Sequence, residues 1–113
     1  MNSKNLPLKI PIFPLSYAIV FPQTILPLNI FEERYIQLIN DCMKGQRVFG
    51  MVQPRIRTGL KPEVYSVGCL GKITSFNETK DKRFLITLSG VIRFRIKEES
   101  KTMKMYREFK VDY

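Results

Sequence analysis

The chain has no histidine, and its 113 residues include only two cysteines, Cys42 and Cys69. These shortages remove whole classes of chemistry. A Cys/His zinc site needs about four such ligands, so no metal is expected. Ser-His-Asp and Cys-His catalysis are impossible without an imidazole. Cys42 falls on the apolar side of a helical pattern and reads as a small buried hydrophobe with no group to activate it. Long apolar runs are missing too. "YAIVF" is bounded by Ser16 and Pro22, far short of the ~20 residues of a membrane helix. The opening "MNSKNLPLK" lacks the apolar core of a signal peptide, so a cytoplasmic protein is expected. No GxSxG, phosphate-loop or GxGxxG motif occurs. The acidic pairs at 32–33 and 98–99 read as the solvated start of a helix and end of a strand. Neither an enzyme nor a cofactor is expected. Acidic residues are scarce as well, 10 against 19 basic ones. The resulting net charge of +9 raises the question of a polyanionic partner.

What is present has the length of one domain with one core. "LKIPIFPL" reads as a first strand, with Pro11 and Pro14 suggesting an edge or an early break. Prolines 22 and 27 push their neighbours toward extended conformations, so 13–30 is strand and loop. One helix is clear, at about residues 30–44. Phe31, Tyr35, Leu38, Ile39 and Cys42 recur at its period. Asn29 and Glu32 have capping-box spacing, and Gly45 suits a left-handed C-terminal residue. The period then becomes two. "RVFGMVQ" is a strand. In "YSVGCLGKITSF", Val67, Cys69, Gly71 and Ile73 share a face, with Gly68 and Gly71 as candidate bulges. "NETKDK" is a hairpin turn. "RFLITLSGVIRFRIKEE" puts Phe84, Ile86, Leu88, Ile92, Phe94 and Ile96 on one side, and Ser89-Gly90 suits a corner. "YREFKVDY" is a last strand. One helix and about six strands with glycines at corners describe an α+β, mostly β, bent sheet or barrel.

The stretches "IPIFPLSYAIVFPQTILPLNIFEERY", "GCLGKITSF" and "RFLITLSGVIRFRI", in this order and spacing, resemble the Lon N-terminal (Lon substrate-binding) domain. "IFEERY" is closest to its free-standing bacterial versions. The resemblance runs from about Leu6 to Tyr113. It implies a PUA-like, six-stranded pseudo-barrel with one packed helix, and a domain at 6–113 that lacks the helical subdomain many members carry. An exposed apolar patch near the last strand would accompany that lack. The ATPase and Ser-Lys peptidase of full Lon proteases are not in these residues.

Two functions from different classes follow. The first is a non-catalytic protein-interaction module that recognises unfolded polypeptide or degradation signals and works with a protease or chaperone. The resemblance puts substrate contact at Glu33 and Arg34, with Phe31 and Tyr35 beside them. The helical period instead turns Phe31 and Tyr35 toward the core, and the helix dipole accounts for Glu33. The apolar opening segment would form one wall of the groove. The second is RNA binding, since PUA-like folds include RNA-binding members. Arg93, Arg95 and Lys97 lie along one strand face, with Lys80, Lys82 and Arg83 at a hairpin and Arg55, Arg57 and Lys61 in a loop. Against it, the sequence has no RNP or GXXG signature and no interleaved aromatic platform. Cations alternating on a strand also serve solubility and edge protection.

Overall fold

The computed structural model describes residues 5–15, 21–55, 63–64 and 66–113. Residues 16–20 of the apolar opening segment lie outside the described residues, as do the loop cations Arg57 and Lys61 and the side chain of Arg55. The elements run β1 (Lys9–Pro14), β2 (Ile25–Ile30), α1 (Glu33–Met43), β3 (Val48–Val52), β4 (Pro54–Arg55), β5 (Glu63–Val64), β6 (Val67–Glu78), β7 (Phe84–Ser100) and β8 (Arg107–Asp112). Six of the strands form one sheet in the order β2-β7-β6-β3-β1-β8, and β8 also pairs with β7. That extra pairing closes β7, β6, β3, β1 and β8 into a ring. β2 hangs outside it, bonded only to the first half of β7.

The ring can close because β7 is long and bent. Its seventeen residues alternate as the sequence predicts, with Phe84, Ile86, Leu88 and Phe94 buried. Its first half pairs with β2, and its second half pairs with β8. The bend coincides with a bulge, where Leu70 faces Ile92 but Gly71 faces Gly90, leaving Val91 as the extra residue. Gly90 is required there. A Cβ on it would collide with the backbone carbonyl of Phe21, where the chain enters β2. β6 meets a core on each face here, Leu70 in one and Ile73 in the other. Leu70 is therefore buried together with Cys69, whereas Val67 is exposed.

β3 is buried on both faces and divides two cores. Val48 and Val52 face the ring interior with Ile10, Ile12, Leu70, Phe94 and Val111. Phe49 and Met51 face the other way, onto Leu28, Ile30, Leu38, Ile39, Ile86 and Leu88. Helix α1 covers this second core through Tyr35, Leu38, Ile39 and Cys42, an i, i+3, i+4, i+7 stripe. Each fully buried Phe or Leu contributes about 1.5–3 kcal/mol by removal from water. The helix is also tied to the start of β8, where the Tyr106 hydroxyl donates to Asp41 Oδ2 at 2.6 Å.

Several local expectations are corrected. The helix starts at Glu33, its N-cap residue is Glu32, and no side chain caps it. Asn29 is not a cap. It lies in β2 opposite Leu85, because a six-residue ladder to β7 outweighs one capping hydrogen bond. Phe31 therefore precedes the helix and is 65% exposed rather than core-facing. At the other end, no described glycine is left-handed. Arg47 is (φ 62°), and its N–H donates to the Cys42 carbonyl at 3.0 Å. Pro11 does not mark an edge either. β1 lies between β3 and β8, but its ladder to β3 begins only at Ile12. The Leu8 carbonyl accepts from Val111 on the β8 side, so alternation turns Pro11 toward β3, where the register places it beside Phe49. Its missing N–H coincides with the end of the β1–β3 ladder. Met103 and Met105, in the connection before β8, are exposed.

Candidate functional site

Where β1 and β2 end beside the start of α1, they leave a cleft of about 340 Å³. Phe13, Pro14 and Leu15 of the apolar opening segment form one wall. Asn29 and Ile30 form the other, and Phe31, Glu32, Arg34 and Tyr35 complete it. Each wall has a local cause. Leu15 is fixed by its N–H to the Val52 carbonyl at 2.8 Å. Asn29 and Ile30 are held extended by Leu85 and Phe84 across the ladder. Tyr35 is 8% exposed, and its ring centre lies 4.4 Å from that of Phe13 at a 39° tilt. Burial pushes its phenol above the ordinary value, against the opposing pull of the Arg34 charge.

The mouth is polar on one side and apolar on the other. The Arg34 guanidinium sits 3.1 Å from Glu32 Oε2 and 4.8 Å from the centre of the Tyr35 ring. Phe31 stands opposite, with the Arg83 guanidinium 5.8 Å from its ring centre. Of the four residues singled out in the sequence, Phe31, Arg34 and Tyr35 line the cleft. Glu33 is exposed on the first turn of α1 and does not line it. The carboxylate at the cleft is Glu32. The neighbouring Phe13 and Leu15 come from a segment twenty residues earlier, a proximity that only tertiary structure creates. Chemically, the cleft can hold an apolar side chain beside a neutralised ion pair.

The alternative cations are arranged differently. Arg93, Arg95 and Lys97 are exposed on the second half of β7. Lys97 lies 3.8 Å from Asp112, and Arg93 sits over Phe21 at 5.2 Å. Lys80, Lys82 and Arg83 precede the opposite end of β7, with Arg83 3.1 Å from Asp81. The two groups do not converge. Among the described residues no cluster of His, Cys, Asp or Glu could hold a metal ion. Both cysteines are buried. Burial pushes the Cys42 thiol up to about 12, and it raises that of Cys69 as well. No described helix is long and apolar enough to cross a membrane.

Residues 9–113 match the family model of the ATP-dependent protease La (LON) substrate-binding domain. The chain belongs to the Lon substrate-binding domain family. It is 31% identical over 107 residues to the Lon protease of Desulfosudis oleivorans, covering 89% of this chain and 13% of that protein. The Lon protease of Flavobacterium johnsoniae is 29% identical over 101 residues, covering 87% and 12%. The chain thus spans about an eighth of the length of these curated relatives. Among solved structures, a Lon N-terminal domain protein from Xanthomonas campestris superposes with a TM-score of 0.74 at 26% identity, over 92% of this chain and 58% of that one. The N-terminal domain of a Mycobacterium avium complex Lon protease shares the fold, with a TM-score of 0.71 at 14% identity, over 92% and 53%. The six-stranded, one-helix pseudo-barrel of this Lon-type domain is the fold expected from the sequence.

Proposed function

We propose that this domain is a non-catalytic, cytoplasmic module that captures unfolded or degron-bearing polypeptide for a protease or chaperone. It does so by seating an apolar side chain at the cleft between β1, β2 and α1. The observation that carries the reading is Phe31, a large ring left mostly in water at the mouth of an aromatic-walled cleft beside an Arg–Glu pair. Exposed rings of this kind serve as anchors when a partner covers them. Arg34 supplies guanidinium hydrogens not used by Glu32, which can bind backbone carbonyls of an extended segment.

The test is fluorescence anisotropy of the domain against a labelled unfolded protein and a labelled single-stranded RNA, each across a salt series. Binding to the unfolded chain that persists at high salt supports the reading. Binding to RNA alone that falls steeply with salt would overturn it and move the site to Arg93, Arg95 and Lys97. Replacing Glu33→Ala together with Arg34→Ala should weaken capture of the unfolded chain with little change in Tm, since both side chains are exposed. A drop of several degrees would make the pair structural.

A further inference from the structure

We propose that the outer face of the β2–β7–β6 sheet is a second docking surface. Its occupant is an extended polypeptide whose uncharged stretch is flanked by carboxylates. The proposal rests on reading the domain as a polypeptide-binding module, and it adds both a location and a substrate class.

Register builds the surface. Pro27, Thr87 and Ser75 align in one row across the three strands, and Asn29, Leu85 and Asn77 in the next. Together they line a shallow groove of about 360 Å³. In a chain of net charge +9, no charged residue stands in either row. Leu85 is 43% exposed, and Ile25, one row beyond Pro27, is 70% exposed. The carboxamides of Asn29 and Asn77 flank Leu85 and make no side-chain hydrogen bond among the described residues. A carboxamide offers both a donor and an acceptor, which matches the peptide groups of an extended chain.

The charges around the groove identify the occupant. Lys72 stands in the row of Ile25, both opposite Ser89, and farther along β7 Arg93 covers Phe21. At the other end Arg83 covers Phe31, with Lys80 and Lys82 in the adjoining turn. Asp81 pairs with Arg83, and Glu78 ends β6, so cations still outnumber anions at that end. An uncharged groove with positive ends complements a segment whose apolar residues are bounded by Asp or Glu, and it repels one bounded by Lys.

The experiment uses the whole 113-residue chain and short labelled peptides that share one apolar core, flanked by Glu, by Lys or by Ser. The Glu-flanked peptide should bind about fivefold tighter than the Lys-flanked one at low ionic strength, the sum of two exposed charge contacts. The gap should close at about 0.5 M salt. The side-chain amide resonances of Asn29 and Asn77 should shift on titration, and the double variant Arg83→Gln, Arg93→Gln should lose the preference. Equal binding of the Glu and Lys peptides, a preference that survives in the double variant, or unmoved carboxamide resonances would overturn the proposal. The Ser-flanked peptide separates it from the cleft reading. If Phe31→Ala abolishes its binding while Leu85→Glu leaves it unchanged, the cleft reading stands and this one falls. If none of the peptides binds, both fall.

Discussion

Replacing Phe31 by Ala separates binding from folding, because the ring is 65% exposed. Full burial of a Phe side chain is worth about 1.5–3 kcal/mol. About a third of that, 0.5–1 kcal/mol, is engaged in the fold, and the contact with Arg83 adds about 0.5 kcal/mol at an exposed site. The stability loss should therefore be about 1 kcal/mol, or about 5 °C in Tm for a domain of this size. A partner that covers the ring would bury the remaining two-thirds. The variant then loses about 1–2 kcal/mol of binding, a rise of about 5- to 30-fold in Kd. Tyr35→Ala is the contrasting change. That ring is buried against Phe13, and its loss should cost about 3 kcal/mol of stability. Anisotropy with an unfolded protein measures the first effect, and a thermal melt measures both. If Phe31→Ala leaves Kd within about twofold of the parent, or lowers Tm as far as Tyr35→Ala does, the ring is not an anchor and the reasoning fails.

Gly90→Ala should destabilise the fold by about 2–3 kcal/mol, because its Cβ meets the Phe21 backbone rather than a movable side chain; a melt within a degree of the parent would show that β2 can shift away. Stability should fall as pH rises above about 9 to 10, where the unfolded thiols and phenols ionise. In the fold, burial holds the Cys42 thiol at about 12 and raises the Tyr106 phenol, helped by Asp41. The folded state then keeps protons that the unfolded state loses, so the slope is negative; Tyr106→Phe should flatten it, and an unchanged slope would contradict that assignment. Pro27→Val should promote self-association, read by analytical ultracentrifugation. Thr24 gives its carbonyl to Gly90, and the Thr87 carbonyl turns to Thr74 on β6, so Pro27 faces the open edge of β2, where its missing N–H blunts pairing. A variant that stays monomeric at high concentration would show that the edge is guarded by something else.

Most of the fold was legible because its signals are local. The stripe of Tyr35, Leu38, Ile39 and Cys42 and the alternation of Phe84 to Phe94 need no knowledge of the rest of the chain. The errors arose where a distant partner decides. Asn29 and Glu32 satisfy a helix-start pattern, but Leu85, more than fifty residues on, holds Asn29 in a strand. That displacement turned Phe31 from an inferred core residue into an exposed ring. Much of the cleft was hidden for the same reason, since Phe13 and Leu15 meet Tyr35 only after β1 has paired with β3. Family resemblance pointed to Glu33, which the structure leaves outside the cleft. Glu32, one residue earlier, sits at its mouth, a difference that the first turn of a helix decides and that spacing alone cannot resolve.

The strand that divides the two cores also bears on how the molecule opens. Neither core can be exposed without stripping one face of β3, so the ring and the helix-covered layer cannot melt independently. Amide protons of Phe49 and Met51 should therefore exchange only through global unfolding, as the slowest in the chain. β2 is bonded along one edge only, yet its Leu28 and Ile30 are buried in the core on one side of that wall, so it cannot leave β7 without opening that core. The element bearing both proposed contact surfaces is thus anchored by its inward side chains while Ile25, Pro27 and Asn29 stay open to a partner.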